Sequence, residues 1–190
     1  MRTSLKKAFM MLAVAAPLAA QAAPQGAAAS APPQLPAAGE PAPDFTIPWT
    51  NGTGAKEDVT LSKLRGQVVV LAFYPADFSR GCTIQMSKYR DEYKTIFGDG
   101  VTVLPISADS LSTHTRWADS MAFPFALGAD VDGTVAKLYG SFNEARPKNH
   151  ARTIFVIGKD GKVVYSKPSF NVNAQVAYDE LTAAIAEAKK

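Results

Sequence analysis

The sequence predicts an α/β protein in which strands and helices alternate around one layered sheet. Val68–Phe73 is a continuous apolar run that includes three valines, which is typical of a strand buried on both faces. A helix is predicted from about Gly81 to Phe97, because the apolar residues Ile84, Tyr89, Tyr93, Ile96 and Phe97 recur near helical spacing, and Gly98 follows as a helix stop. Near the C-terminus, Asp160-Gly161 separates two strand-like runs and predicts a β-hairpin.

Residues 1–22 have the pattern of a secretory signal peptide. A basic start with Arg2, Lys6 and Lys7 is followed by an apolar stretch, residues 8–20, that is short for a membrane span. Residues 20–22, Ala-Gln-Ala, form a small-x-small cleavage site, and we expect cleavage after Ala22. An uncleaved membrane anchor is the alternative, and a lipoprotein is excluded because no cysteine lies near the site. We therefore expect an exported protein, periplasmic or secreted, with no stable membrane insertion after cleavage.

The basic character of the chain belongs to this segment. Three of the 20 basic residues lie in residues 1–22, so the remainder holds 17 basic and 17 acidic residues. A near-neutral mature chain gives no support for a nucleic-acid partner. Residues 23–36 are rich in alanine and proline and carry no charge, which predicts a flexible linker. Residues 37–190 then suit a single domain.

Three short elements are expected before the central strand. Phe45–Ile47 is predicted to be a strand, Asn51-Gly52 a turn followed by a polar loop to Asp58, and Leu61–Leu64 a helical turn. Val68–Phe73 follows as the central strand, and Pro75 ends it.

The elements after the Gly81–Phe97 helix continue the alternation of strands and helices. Asp130–Gly133 resembles the start of a calcium loop but lacks the later ligands, so we interpret it as the turn before a helix. The other predicted elements are a buried strand at Val101–Ile106, a helix capped by Asp109-Ser110 that carries Trp117, Ala118 and Met121, a helix at Thr134–Tyr139, a hairpin of Arg152–Ile157 and Val163–Tyr165, and a closing helix at Ala177–Ala188. Pro105 makes the end of its strand less regular.

Cys82 is the only cysteine and lies at the expected start of the Gly81–Phe97 helix. The unpaired N–H groups and the positive dipole end of a helix N-terminus stabilise a thiolate, and Arg80 adds positive charge nearby. Ser79 can either cap the helix or hydrogen-bond a group presented to the sulfur. We therefore predict that Cys82 is a nucleophile rather than an inert buried thiol.

Pro75, Ser79 and Cys82 stand in the pattern Pro-x-x-x-Ser-x-x-Cys, which resembles the signature of the peroxiredoxins, the AhpC/TSA superfamily. Residues 39–45 are similar to the opening of that family and residues 151–157 to its arginine-bearing strand. The similarity is greatest to the bacterioferritin-comigratory-protein-like branch. The resemblance implies a thioredoxin-like fold, a mixed β-sheet with helices on both faces.

The same resemblance implies a thiol-dependent peroxidase that reduces hydrogen peroxide and alkyl hydroperoxides. Cys82 would attack the peroxide, Ser79 and loop amides would cradle it, Arg152 would stabilise the developing charge, and Pro75 would shape and shield the pocket. From the residues alone, Arg152 would be a surface charge at a strand start, and Pro75 a strand terminator.

Two positions depart from the family pattern. Some relatives carry a resolving cysteine where this chain has Ser87, so no internal disulfide is possible and the chain is of the one-cysteine type. Relatives often have glutamate where this chain has Gln85, which leaves the role of Gln85 open. The expected partners are a hydroperoxide and an external thiol reductant, either glutathione or a thioredoxin-like or glutaredoxin-like protein. A monomer or a homodimer is expected.

No cofactor or metal is expected. His114 and His150 are the only histidines and, with one cysteine, they make no metal-ligand cluster, so both are interpreted as structural or surface residues. Trp49 and Trp117 are interpreted as packing residues.

Two other functions remain open. An exported thioredoxin-type thiol-disulfide oxidoreductase requires a C-x-x-C pair, which Cys82–Gln85 does not provide. A non-enzymatic binding module would leave the cysteine incidental. Peroxide consumption in the presence of excess dithiol separates this last alternative from the peroxidase.

Overall fold

The computed structural model describes residues 35–50 and 57–190. The signal peptide expected at residues 1–22, the linker up to residue 34 and the Asn51-Gly52 turn lie outside the described residues. The elements are β1 Thr46–Thr50, β2 Glu57–Thr60, a 3₁₀ helix Leu61–Leu64, β3 Val68–Phe73, α1 Arg80–Asp91, α2 Tyr93–Ile96, β4 Val101–Ser107, α3 Leu111–Met121, β5 Leu127–Ala129, α4 Thr134–Leu138, β6 Thr153–Ile157, β7 Val163–Pro168 and α5 Gln175–Ala188.

In the part of the chain that the structure describes, the strands form one mixed sheet in the order β2-β1-β5-β4-β3-β6-β7. Strand β3 pairs in parallel with β4 and antiparallel with β6, and β6 and β7 form the predicted hairpin. Each side of β3 contributes to a different hydrophobic cluster. Val68, Val70 and Ala72 pack with α1, α2, α3 and α5, whereas Val69, Leu71 and Phe73 pack with β1 and α4. The mixed sheet with helices on both faces is confirmed, and so is the fully buried strand Val68–Phe73.

The helix after the cysteine was predicted as one segment, and the structure divides it. Helix α1 ends at Asp91, Glu92 leaves the helical region with φ −110° and ψ 24°, and α2 resumes at Tyr93. Ile84 was placed with the apolar residues of this helix, but it is exposed. The predicted Tyr89, Ile96 and Phe97 are buried, and Met86 joins them in the cluster that packs against the sheet.

The edge of the sheet also differs from the prediction. The polar loop was expected to reach Asp58, but strand β2 already begins at Glu57 and pairs with β1 from Thr46↔Thr60 to Trp49↔Glu57. Strand β2 has only four residues and a single apolar one, the buried Val59, so it is too short to show the apolar-polar alternation of a strand. Strand β1 accordingly runs on to Thr50, beyond the expected end at Ile47.

Several local predictions are confirmed. Ser110 caps α3 by accepting a hydrogen bond from the Thr113 amide, and Trp117 and Ala118 on that helix are buried. The Asp130 carboxylate accepts hydrogen bonds from the Val135 and Ala136 amides at the start of α4, as a turn residue before a helix does. No helix within the described residues is long and apolar enough to cross a membrane.

Candidate active site

The loop between β3 and α1 carries the cysteine into a buried position. The Tyr74 amide still donates to Ile106 of β4, but Pro75 has no N–H, so the ladder ends there. The chain turns at Phe78, a non-glycine residue with φ +56°, and Ser79 becomes the N-cap of α1. Cys82 is the third residue of that helix and is fully buried. The sulfur thus lies in the first helical turn, where unpaired N–H groups favour a thiolate.

Arg152 reaches this sulfur from a distant part of the chain. Strand β6 pairs antiparallel with β3 so that Thr153 lies opposite Phe73, which brings Arg152 to the edge where the cysteine loop begins. The Arg152 Nη2 group donates to Cys82 Sγ at 3.2 Å. A guanidinium at this distance stabilises a thiolate and any anion that forms beside it.

Gln85 binds the other terminal nitrogen of the Arg152 guanidinium. Its Oε1 accepts a hydrogen bond from Arg152 Nη1, and its Nε2 donates to Tyr89 OH at 3.0 Å. Gln85 and Tyr89 are both fully buried, and burial raises the pKa of Tyr89 well above its ordinary value, so the hydroxyl stays neutral. The amide and the phenol therefore fix the orientation of Arg152 without adding negative charge beside it.

Gly81 makes room for this arrangement. A Cβ atom at this position would lie 3.3 Å from Arg152 Nη2, closer than most side-chain contacts allow. The absence of a side chain at Gly81 therefore lets the guanidinium approach the first turn of α1.

Ser79 does not cap the helix with its side chain. Its Oγ donates instead to the Ala76 carbonyl at 3.0 Å, and its own carbonyl accepts from the Thr83 amide at 2.8 Å. The capping interpretation of the hydroxyl is therefore wrong, and the hydroxyl oxygen retains lone pairs that can accept a hydrogen bond from a ligand.

The structure brings Cys82, Ser79 and Arg152 together around the start of α1. Pro75 is half-buried at the beginning of the same loop. Arg80, which sequence reasoning took as a source of positive charge, is exposed, so solvent screens its charge from the sulfur. Ser87 is half-buried on α1, five positions after Cys82.

The sequence leaves the role of Gln85 open and does not predict that Tyr89 takes part in the site. The signal was present, because residues four apart on a helix lie on the same face, and Gln85 and Tyr89 are so spaced. It could not show that Arg152, 67 positions beyond Gln85, would complete the contact.

Both histidines are buried, so they are structural residues and not surface residues. His114 Nδ1 lies 2.8 Å from Asp77 Oδ2, and His150 Nε2 lies 3.1 Å from Asp130 Oδ2 without good hydrogen-bond alignment. Trp117 is buried and Trp49 half-buried, both in packing contacts as expected. Within residues 35–50 and 57–190, no group of three His, Cys, Asp or Glu side chains could hold a metal ion.

The chain is similar to known proteins over most of its length. The AhpC/TSA family matches residues 38–166. A putative peroxiredoxin bcp from Coxiella burnetii (strain RSA 493 / Nine Mile phase I) is 35% identical over 144 residues, which cover 73% of this chain and 93% of that protein. The chloroplastic peroxiredoxin Q of Triticum aestivum is 36% identical over 123 residues, and this match covers 65% of this chain and 55% of that protein. Among solved structures, the crystal structure of peroxidoxin BcpB from Mycobacterium tuberculosis matches with a TM-score of 0.70 and 29% identity, covering 83% of this chain and 100% of that one.

Proposed function

The chain belongs to the AhpC/TSA family and is a thiol-dependent peroxidase, and we propose that Cys82 is the residue that reduces the peroxide. The observation that carries this proposal is the 3.2 Å contact from Arg152 Nη2 to Cys82 Sγ at the first turn of α1. A buried thiol with a guanidinium and a helix N-terminus directed at it is suited to a nucleophile, whereas an inert core cysteine needs neither.

The reaction follows from these groups. The Cys82 thiolate attacks one oxygen of the hydroperoxide, the O–O bond breaks, and the second oxygen leaves with the electron pair and takes up a proton as water or an alcohol. The sulfur becomes a sulfenic acid and is oxidised by two electrons. Arg152 stabilises the negative charge that moves onto the leaving oxygen, and Ser79 and the loop amides hold the peroxide in place. Pro75 shapes and shields the pocket at the start of the loop.

Turnover requires an outside thiol, because the chain has one cysteine. A reductant thiol attacks the sulfenic sulfur, releases water and forms a mixed disulfide, and a second thiol then restores Cys82. We propose glutathione, or a thioredoxin-like or glutaredoxin-like protein, as the class of reductant, and hydrogen peroxide and alkyl hydroperoxides as substrates. An exported thioredoxin-type exchange enzyme is not favoured, since it would need a second cysteine near the first.

The test is peroxide consumption by the purified protein with excess dithiol, with Cys82→Ser alongside. We expect the wild-type protein to consume peroxide catalytically and the variant to lose this activity. One equivalent of peroxide without thiol should add oxygen to the Cys82 peptide in mass spectrometry, and peroxide with glutathione should give an adduct that dithiothreitol removes. If peroxide leaves Cys82 of the folded protein unmodified, the assignment to Cys82 is wrong and a binding module takes its place.

Export is part of the same proposal. The sequence pattern of residues 1–22 supports export. Under this proposal, the enzyme acts in the periplasm or outside the cell. In an oxidising compartment, a sulfenic acid without an internal partner is exposed to mixed disulfide formation and to oxidation to sulfinic acid. A monomer or a homodimer is proposed for the mature protein. Sequencing the N-terminus of the protein recovered from a periplasmic extract tests cleavage after Ala22.

A further inference from the structure

A polar cluster separate from the Cys82–Arg152 contact surrounds one residue of the loop between β3 and α1. Asp77, between Pro75 and Ser79, is buried, and its side chain is only 1% exposed. A carboxylate withdrawn from water is costly unless hydrogen-bonded groups surround it. Asp77 Oδ1 accepts a 2.6 Å hydrogen bond from Tyr74 OH, and Oδ2 lies 2.8 Å from His114 Nδ1. We refer to Tyr74, Asp77 and His114 as the buried polar cluster.

The proton positions in this cluster follow from its neighbours. Burial, together with the adjacent Asp77 carboxylate, raises the pKa of Tyr74, so its hydroxyl keeps its proton and donates to Asp77. His114 Nε2 lies 3.2 Å from the Gly128 carbonyl, which can only accept, so Nε2 bears a proton. His114 Nδ1 and Asp77 Oδ2 lie within hydrogen-bonding distance of each other, at 2.8 Å. Every polar side-chain atom of the cluster thereby has a partner.

The backbone of Asp77 is fixed as well. Its amide donates to Asp109 Oδ2 at 2.8 Å, and Ser107 Oγ donates to the same oxygen at 2.8 Å. Asp77 is therefore held by Tyr74 at the end of β3, by Asp109 after β4 and by His114 on α3. Contacts from three separate elements leave this point of the loop little freedom.

The residue after Asp77 is strained. Phe78 has φ +56°, a region that L-residues with large side chains rarely adopt. Its side chain is 54% exposed and makes one aromatic contact, 5.8 Å between its ring centroid and that of Trp117. Such strain persists only where the surrounding structure imposes it, and the anchored Asp77 is the immediate source of that constraint.

The turn at Phe78 decides where the cysteine helix begins. Ser79 follows as the N-cap, and its carbonyl accepts the Thr83 amide in the helical turn that carries Cys82. Arg152 lies just before β6, in a different part of the chain, so its contact with Cys82 depends on how the loop is held. A displacement of Asp77 would move the sulfur relative to the guanidinium.

We propose that Asp77 is a positioning residue for peroxide reduction, and that Tyr74 and His114 hold it so that the turn at Phe78 places Cys82 against Arg152. The proposal rests on the function proposed above and adds residues that do not touch the peroxide. Displacement of a reacting group by about 1 Å costs on the order of a hundredfold in rate, so a loosened cluster should be visible in kinetics.

The experiment compares Tyr74→Phe with Tyr139→Phe. Tyr139 is also fully buried but belongs to the other hydrophobic cluster, and its hydroxyl donates a 2.7 Å hydrogen bond to the Pro43 carbonyl. Each variant loses one hydroxyl and the hydrogen bond that this hydroxyl donates. At equal folded fraction, we expect kcat/KM for peroxide to fall about tenfold in Tyr74→Phe and to stay within about twofold in Tyr139→Phe.

His114 provides a graded series. His114→Leu should lose about a hundredfold in kcat/KM, because Asp77 then faces an apolar group. His114→Gln retains an amide donor and should recover part of that loss. If His114→Leu does not fold, the two tyrosine variants still decide the question.

Amide hydrogen exchange gives a readout that needs no peroxidase activity. We expect faster exchange at Asp77 and Thr83 in Tyr74→Phe than in the wild-type protein, and no change at these amides in Tyr139→Phe. A wild-type protein that does not consume peroxide would refute the proposed function, while the exchange data would still test the cluster. Unchanged exchange in Tyr74→Phe, or faster exchange with undiminished peroxide reduction, would overturn the positioning role.

Discussion

Replacement of Arg152 by alanine separates the two ways in which a guanidinium can assist Cys82. The change removes the Nη2 contact to Sγ and the Nη1 contact to Gln85 Oε1. The backbone at this position is held independently, since the Arg152 carbonyl accepts a 3.1 Å hydrogen bond from the Phe170 amide. Gln85 keeps its bond to Tyr89. The loss is therefore confined to the charge and its hydrogen bonds.

The magnitude follows from the state that each contact stabilises. A hydrogen bond to a charged group contributes about 1.5–3 kcal/mol, and removal of one donor to a developing oxyanion costs about 10²–10³ in rate. We expect kcat/KM for hydrogen peroxide to fall by about 10²–10³, because the guanidinium serves both the thiolate and the leaving oxygen. Alkylation uses the thiolate but has no leaving oxygen at the same place, so it should slow by only about tenfold.

Stopped-flow peroxide reduction and iodoacetamide alkylation at the same pH provide the two rates. Arg80→Ala is the matched control, because it removes the same charge two residues from Cys82 but from an exposed side chain. We expect both rates of the control to stay within about twofold of the wild type, since solvent screens an exposed charge. Equal losses of both rates in Arg152→Ala would mean that the arginine acts only on the thiolate, and our reasoning about the leaving oxygen would be wrong.

Three further predictions follow from the contacts around the site. Gln85→Leu should reduce kcat/KM by about tenfold, because Arg152 loses the acceptor that orients it. Gln85→Glu keeps an acceptor and should retain more activity. Equal rates in these two variants would count against the orienting role of Gln85. Gly81→Ala should raise or preserve the melting temperature through helix propensity while slowing peroxide reduction severalfold, since the new Cβ crowds Arg152. Burial raises the pKa values of Tyr74 and Tyr89 above the ordinary 10.0, so the folded protein holds these protons more tightly than the unfolded chain. The free energy of unfolding should therefore fall as pH rises above about 10, as measured by urea unfolding, and a pH-independent value would contradict this sign.

The chain order of elements was accessible from sequence because its signals are local. An apolar run, a 3.6-residue period and an Asp-Gly turn each report on neighbouring residues, and β3, the start of α1 and the β6–β7 hairpin follow from them. The Ser110 cap is local in the same sense. Strand β2 is not predicted, because four residues with one apolar side chain are too few to show a strand period.

The place of the cysteine is predictable from its own stretch of sequence, whereas the role of Arg152 follows only from the family resemblance and that of Gln85 only from the structure. The helix start around Cys82 and the spacing from Pro75 to Cys82 are properties of one short stretch. The periodicity of apolar residues predicts neither the break in the helix at Glu92 nor the hydrogen bond that the Ser79 hydroxyl donates to the Ala76 carbonyl.

By itself, the sequence determined the α/β class, the place of its single cysteine at a helix start and, through that single cysteine, the need for an external thiol. Only the tertiary structure decided that Gln85 orients Arg152 and that His114 lies against Asp77. The reason is physical. Secondary structure follows from interactions between residues close in the chain, whereas the register of β3 against β6 and the packing of α3 bring together side chains tens of residues apart.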